Sequence, residues 1–135
     1  MPHGPRYVRT AGFVLTARVD HRAGHRAGHR AGHDADRIEI AGELTAATAG
    51  LLDAETVRVC GSPAGPELDL VLDLTQVTFL DVMGVATLRR THHRAVLQGE
   101  LRIGLPVTAE PGRLLELAVE NGWLPPVFHP GLTVL

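Results

Sequence analysis

The stretch LDLVLDLTQVTFL, residues 68–80, has the pattern of a strand buried inside a sheet. Leu68, Leu70, Leu72 and Leu74 alternate with Asp69, Val71 and Asp73, the two-residue period of extended chain. Such a run suits a central strand reached through a crossover helix. After Asp81 the period changes. Residues 82–98, VMGVATLRRTHHRAVLQ, read as a helix whose core stripe is Val85, Leu88, Ala95 and Val96. Arg89, Arg90 and Arg94 take its outer face, and Gly99 ends it. A buried strand that feeds straight into an amphipathic helix points to a layered α/β domain.

The flanking segments extend that pattern. FVLTARV, residues 13–19, alternates like a half-buried strand, and RIEIAGEL, residues 37–44, does the same with Ile38 and Ile40 on one face. TAATAGLLDAETVRV reads as a helix that begins near Thr45, whose hydroxyl is placed to cap it. LRIGL is a further strand. PGRLLELAVENG is a short helix with Leu114, Leu117 and Ala118 inward, stopped at Asn121-Gly122. Val127-Phe128 suggests an edge strand between prolines, with Trp123 and Phe128 sealing the end of the core. The order β-β-α-β-α-β-α, with this last strand as an addition, predicts a sheet with helices packed on it. Length sets one domain over residues 1–135, its core spanning about 13–128.

Composition removes several chemistries. Lysine is absent and all thirteen basic residues are arginine, so neither a phosphate-loop lysine nor a Schiff base is available. Ser62, the single serine, sits in CGSPAG, which lacks the spacing of a nucleophile elbow. No paired C-x-x-C or H-E-x-x-H occurs, so the chain is not expected to be an enzyme. A lone Cys60, no apolar run of membrane-spanning length and no convincing signal peptide suggest a cytoplasmic protein, with no membrane or direct nucleic-acid partner expected.

HRAGHRAGHRAGHD, residues 21–34, lies between the first two expected strands and reads as a loop lengthened by repeats. His21, His25, His29 and His33 would stack at helical i, i+4 spacing, which suits nickel, copper or zinc. A glycine every fourth residue opposes that helix by about 1 kcal/mol each. No cofactor is called for beyond such metal binding.

Three segments carry a resemblance: IAGELTAATAGLL, then LVLDLTQVTFLDVMGVATLRRTHHRAVLQGELRIGL, then GRLLELAVENGWLPPVF. Together they resemble a STAS domain of the bacterial anti-sigma factor antagonist type. The resemblance implies a single α/β domain with a four- to five-stranded mixed sheet and helices mainly on one face. It also implies a partner-binding surface at the start of the second helix, and a transcription-regulating role exerted on an anti-sigma factor or related kinase-like protein. Members of that family usually carry D-S-[ST]-G there, and the partner kinase phosphorylates the residue before the glycine. Asp81 and Gly84 match, whereas Val82 and Met83 stand at the hydroxyl positions. A thioether accepts no phosphoryl group, so the usual off-switch is missing. A second family feature, an aspartate after G-E-[LI], is replaced by Thr45 after Gly42-Glu43-Leu44.

The candidate partner surface is therefore Asp81, Val82, Met83 and Gly84, with Glu43 and Thr45 beside it. Thr78, Thr87 and Ser62 are the hydroxyls left as alternative phosphoacceptors. Two other readings stand beside it: a STAS scaffold or transport-ATPase regulatory subunit, which keeps the fold and changes the partner, and a metal-binding protein that uses the histidine loop. The protein is expected to be a monomer or a weak homodimer.

Overall fold

The computed structural model describes residues 5–18, 36–61, 68–106 and 109–131. The elements run β1 (Arg6–Thr10), β2 (Phe13–Arg18), β3 (Asp36–Leu44), α1 (Ala49–Cys60), β4 (Leu68–Leu80), α2 (Val82–Gln98), β5 (Gly99–Gly104) and α3 (Ala109–Glu120), then a 3-10 turn at Pro126–Phe128. The strands form one mixed sheet in chain order. β1/β2 and β2/β3 are antiparallel, whereas β3/β4 and β4/β5 are parallel.

That topology decides where the helices go. Both parallel steps proceed in the same direction across the sheet, and right-handed crossovers then place α1 and α2 on the same face. Accordingly, Phe13, Leu15, Ala17, Ile38, Ile40, Leu70, Leu72 and Leu74 belong to one core cluster with Leu52 and Val59 of α1 and Val85, Leu88 and Ala95 of α2. Each fully buried leucine contributes about 1.5–3 kcal/mol. On the other face Arg37 bonds Glu39 at 2.8 Å and Asp73 at 2.7 Å, and Arg102 reaches Asp69 at 3.0 Å. The leucine/aspartate alternation of β4 thus separates an apolar face from an ion-paired one.

Several expectations are corrected. RYVRT forms an edge strand, β1, folded back on β2 through the Ala11-Gly12 turn. Its residues are nearly all exposed, so it carries little of the hydrophobic alternation that marks a strand. It is tied down by Arg6, which bonds the buried Glu55 carboxylate of α1 at 3.2 Å. Helix α1 starts at Ala49, not near Thr45. The Thr48 hydroxyl donates to the Glu43 carbonyl and accepts the Thr45 N–H, which winds residues 45–48 into a turn before the helix. In α2, Val96 faces outward, and in α3 Leu115 and Ala118 are inward while Leu117 is exposed. Val127-Phe128 belongs to the 3-10 turn, not to a strand. Phe128 does close the core, whereas Trp123 is half-exposed and Leu124 fills the interior beside it.

Candidate functional site

The start of α2 lies where β4 ends beside β3. Register shifts at Glu39/Ala41 and Gly42/Glu43 carry the last part of β3 along β4, so that Glu43 pairs with Phe79 and Leu44 with Leu80. Gly42 makes the second shift possible. Its φ of +98° is left-handed, and a Cβ there would lie 2.0 Å from the Gly12 carbonyl oxygen. The Glu43 N–H donates to that same oxygen at 2.8 Å, which leaves the Glu43 side chain exposed at the sheet end.

Asp81 joins the two segments of this corner. One carboxylate oxygen accepts the Gly84 N–H at 2.9 Å and caps α2, while the other accepts the Ala46 N–H at 3.2 Å from the turn before α1. Gly84 is buried against the end of β3. An added Cβ would sit 2.3 Å from the Leu44 carbonyl oxygen and 2.8 Å from Leu80 Cδ1. Thr45 is half-buried, and its hydroxyl accepts the Ala47 N–H at 3.2 Å within its own turn, not a helical N–H of α1. Asp81, Gly84 and Thr45 therefore build the corner's backbone.

Val82 and Met83 are different. They occupy the first turn of α2, yet remain 63% and 46% exposed. Phe79, 45% exposed, precedes them at the end of β4 and was not singled out from the sequence. Two register shifts against β3 let Val77 and Leu80 face inward and Phe79 outward, so the alternation of the leucines before them does not carry through TQVTFL. Three large apolar side chains thus stand at one end of the sheet, with Glu43 and Asp81 beside them.

The remaining sequence candidates separate clearly. Thr87 is fully buried; its hydroxyl donates to Asp53 Oδ1 at 2.7 Å, so it locks α1 to α2 and offers no accessible oxygen to a kinase. Thr78 is exposed on β4. Ser62 and the histidines His21, His25, His29 and His33 lie outside the described residues. Among the described residues, no group of three His, Cys, Asp or Glu side chains is placed to hold a metal ion, and no helix is long and apolar enough to cross a membrane.

Asp53 and His92 are among the perturbed ionisable groups of the helical layer. Burial pushes the Asp53 carboxyl up, but hydrogen bonds from Arg90 and Thr87 and the charges of Arg90 and Arg94 together hold it below the ordinary carboxylate value. His92 is lowered by burial and by neighbouring His93; its ring packs edge-on against Phe128 with centroids 6.1 Å apart. Asp53 lies on the α1–α2 contact and His92 against the core at Phe128. On the ion-paired face of the sheet, a hollow of about 290 Å³ is lined by Val14, Thr16, Glu39, Asp73 and Thr75. Arg37 bonds both of its carboxylates, so a single guanidinium is shared between Glu39 and Asp73.

A five-stranded mixed sheet with β3-α1-β4-α2-β5 crossovers and an Asp-x-x-Gly helix entrance defines a domain class, and the comparisons give it a name. The STAS domain family matches residues 33–103, more than half of the chain, and the protein belongs to that family. Among solved structures, an anti-sigma factor antagonist from Mycobacterium paratuberculosis is similar over 87% of both chains, with 22% identity and a TM-score of 0.59. An antisigma-factor antagonist STAS domain from Rhodobacter sphaeroides covers 70% of this chain and 87% of its own, with 18% identity and a TM-score of 0.48. A structure of SLC26A9 matches 76% of this chain but only 19% of its own length, with 16% identity and a TM-score of 0.50. At these identities the likenesses speak to the fold alone. No curated protein sequence matched.

Proposed function

We propose that this STAS domain acts as an anti-sigma factor antagonist that docks an anti-sigma factor at the entrance of α2, without the family's phosphorylation switch. One observation carries the reading: the two residues at the family's hydroxyl positions, Val82 and Met83, are exposed, while the motif residues around them are engaged in structure. Apolar side chains that face solvent together at a helix entrance are available to a partner. An apolar lip of Phe79, Val82 and Met83 rimmed by Glu43 and Asp81 suits a protein surface with apolar side chains at its centre. A helix N-terminus ordinarily favours added phosphate, because its N–H groups and dipole attract anions. With no hydroxyl at Val82 or Met83, that modification has no acceptor at the helix start.

The test is binding to a panel of purified anti-sigma factor kinase domains, comparing the wild-type chain with Met83→Asp. A kinase domain that binds the wild type and is lost by Met83→Asp supports the reading. Equal binding by the charged variant would move the docking surface elsewhere. Phosphate incorporation at Thr78 by the bound kinase domain would overturn the absence of a switch.

A further inference from the structure

Met83 brings a second kind of chemistry to the site. Apart from Met1, it is the chain's only methionine, and the residue is 46% exposed. The other sulfur is protected. Cys60 is buried on α1, and burial pushes its thiol further from the reactive thiolate, an effect to which Asp36 adds and which Arg94 opposes. A thioether needs no deprotonation to react, so a two-electron oxidant reaching this protein meets Met83 as the accessible soft nucleophile among the described residues.

We propose that Met83 is a reversible oxidation site for hydroperoxides, and that its sulfoxide weakens the docking surface. This rests on the function proposed above. A lone pair on the Met83 sulfur attacks the terminal oxygen of the hydroperoxide; an S–O bond forms and the O–O bond breaks. The hydroxyl proton passes to the departing oxygen, so the products are one sulfoxide and one alcohol, or water when the oxidant is hydrogen peroxide. Sulfur is oxidised by two electrons and the peroxide is reduced by two. Methionine sulfoxide reductases reverse the change.

The physical consequence follows from position. A thioether is a flexible apolar contact, suited to an adaptable interface. The sulfoxide adds a strongly polar oxygen to the apolar lip, and burying that oxygen against an apolar partner without a hydrogen bond weakens binding by about tenfold to a hundredfold. At a position where a phosphoryl group cannot be attached, an oxygen atom still can.

The experiment treats the full chain with hydrogen peroxide and maps added oxygen by peptide mass spectrometry. Affinity for the anti-sigma factor kinase domain that binds the untreated protein is then measured by calorimetry. The expected result is a sulfoxide at Met83, affinity at least about tenfold lower, and recovery after sulfoxide reductase treatment. Met83→Leu, which has no thioether, should lose the peroxide response, its affinity after peroxide equalling that of the same variant untreated. Failure of Met83 to oxidise, unchanged affinity of a chain shown to carry the sulfoxide, or an equal response from Met83→Leu overturns the inference while the docking reading stands. If no kinase domain binds the untreated chain, the docking reading fails first and takes the switch with it.

Discussion

Replacing Gly84 by alanine tests the corner on which the site is built, because two physical effects oppose each other there. In an ordinary helix position the substitution gains about 1 kcal/mol of propensity. At Gly84 the new methyl carbon would lie 2.3 Å from the Leu44 carbonyl oxygen, 3.1 Å from its carbon and 2.8 Å from Leu80 Cδ1. Leu80 can turn aside, but the Leu44 backbone is held in the β3–β4 ladder. Overpacking of this kind costs about 1–3 kcal/mol, and contact with backbone places it at the upper end. The net expectation is a loss of about 2 kcal/mol, which lowers the urea midpoint by roughly 1 M. Gly50, in the first turn of α1, has nothing within 4 Å of an added Cβ. Gly50→Ala should therefore raise the midpoint, by up to about 1 kcal/mol of stability. Equilibrium urea unfolding of both variants gives the answer. If both move in the same direction, the close approach of α2 to Leu44 is refuted.

Asp81→Ala removes the cap on Gly84 and the bridge to Ala46, and should cost about 1–2 kcal/mol by the same assay, with Asp81→Asn losing less. Asp53, held below the usual carboxylate value, contributes stability that is complete above its unfolded pKa and lost as pH falls through the lower folded value. Asp53→Asn should accordingly be less stable at neutral pH and show a shallower acid limb in melting temperature against pH. His92 is also depressed, so its contribution is present above the ordinary value of 6.5 and declines as pH falls from there toward the folded value. His92→Gln should flatten that part of the curve, read from thermal midpoints between about pH 7 and pH 5.

The sequence already contained the strong elements. The leucine ladder of β4 and the period change at Asp81 located the strand, the helix and the corner between them, because buried alternation and a helical stripe are properties of residues close in sequence. β1 escaped notice for the opposite reason. Arg6, Tyr7, Arg9 and Thr10 are exposed at a sheet edge, and Arg6 is fixed by Glu55 far along the chain. The start of α1 was placed too early because a threonine at 45 and a threonine at 48 look alike as caps; only the Thr48 bond to the Glu43 carbonyl separates turn from helix. In α3 the pattern points Ala118 and Leu114 correctly toward the core but puts Leu117 where Leu115 belongs, since its sequence offers leucines on both faces. The capping bond of Asp81 and the close approach of Gly84 to Leu44 are added by the structure, but both residues stood out in the sequence as the match to the family's helix-entrance motif. Phe79 did not, because its outward turn depends on register shifts against β3 that a single strand does not reveal.

The central claim is that Phe79, Val82 and Met83 meet a partner protein, and amide hydrogen exchange on the chain with and without a bound anti-sigma factor kinase domain tests it most directly. The expected result is protection confined to residues 43–47 and 79–86, with the edge strand β1 and helix α3 unchanged. Protection centred on β1 or α3, with the α2 entrance exchanging as in the free chain, would contradict the account.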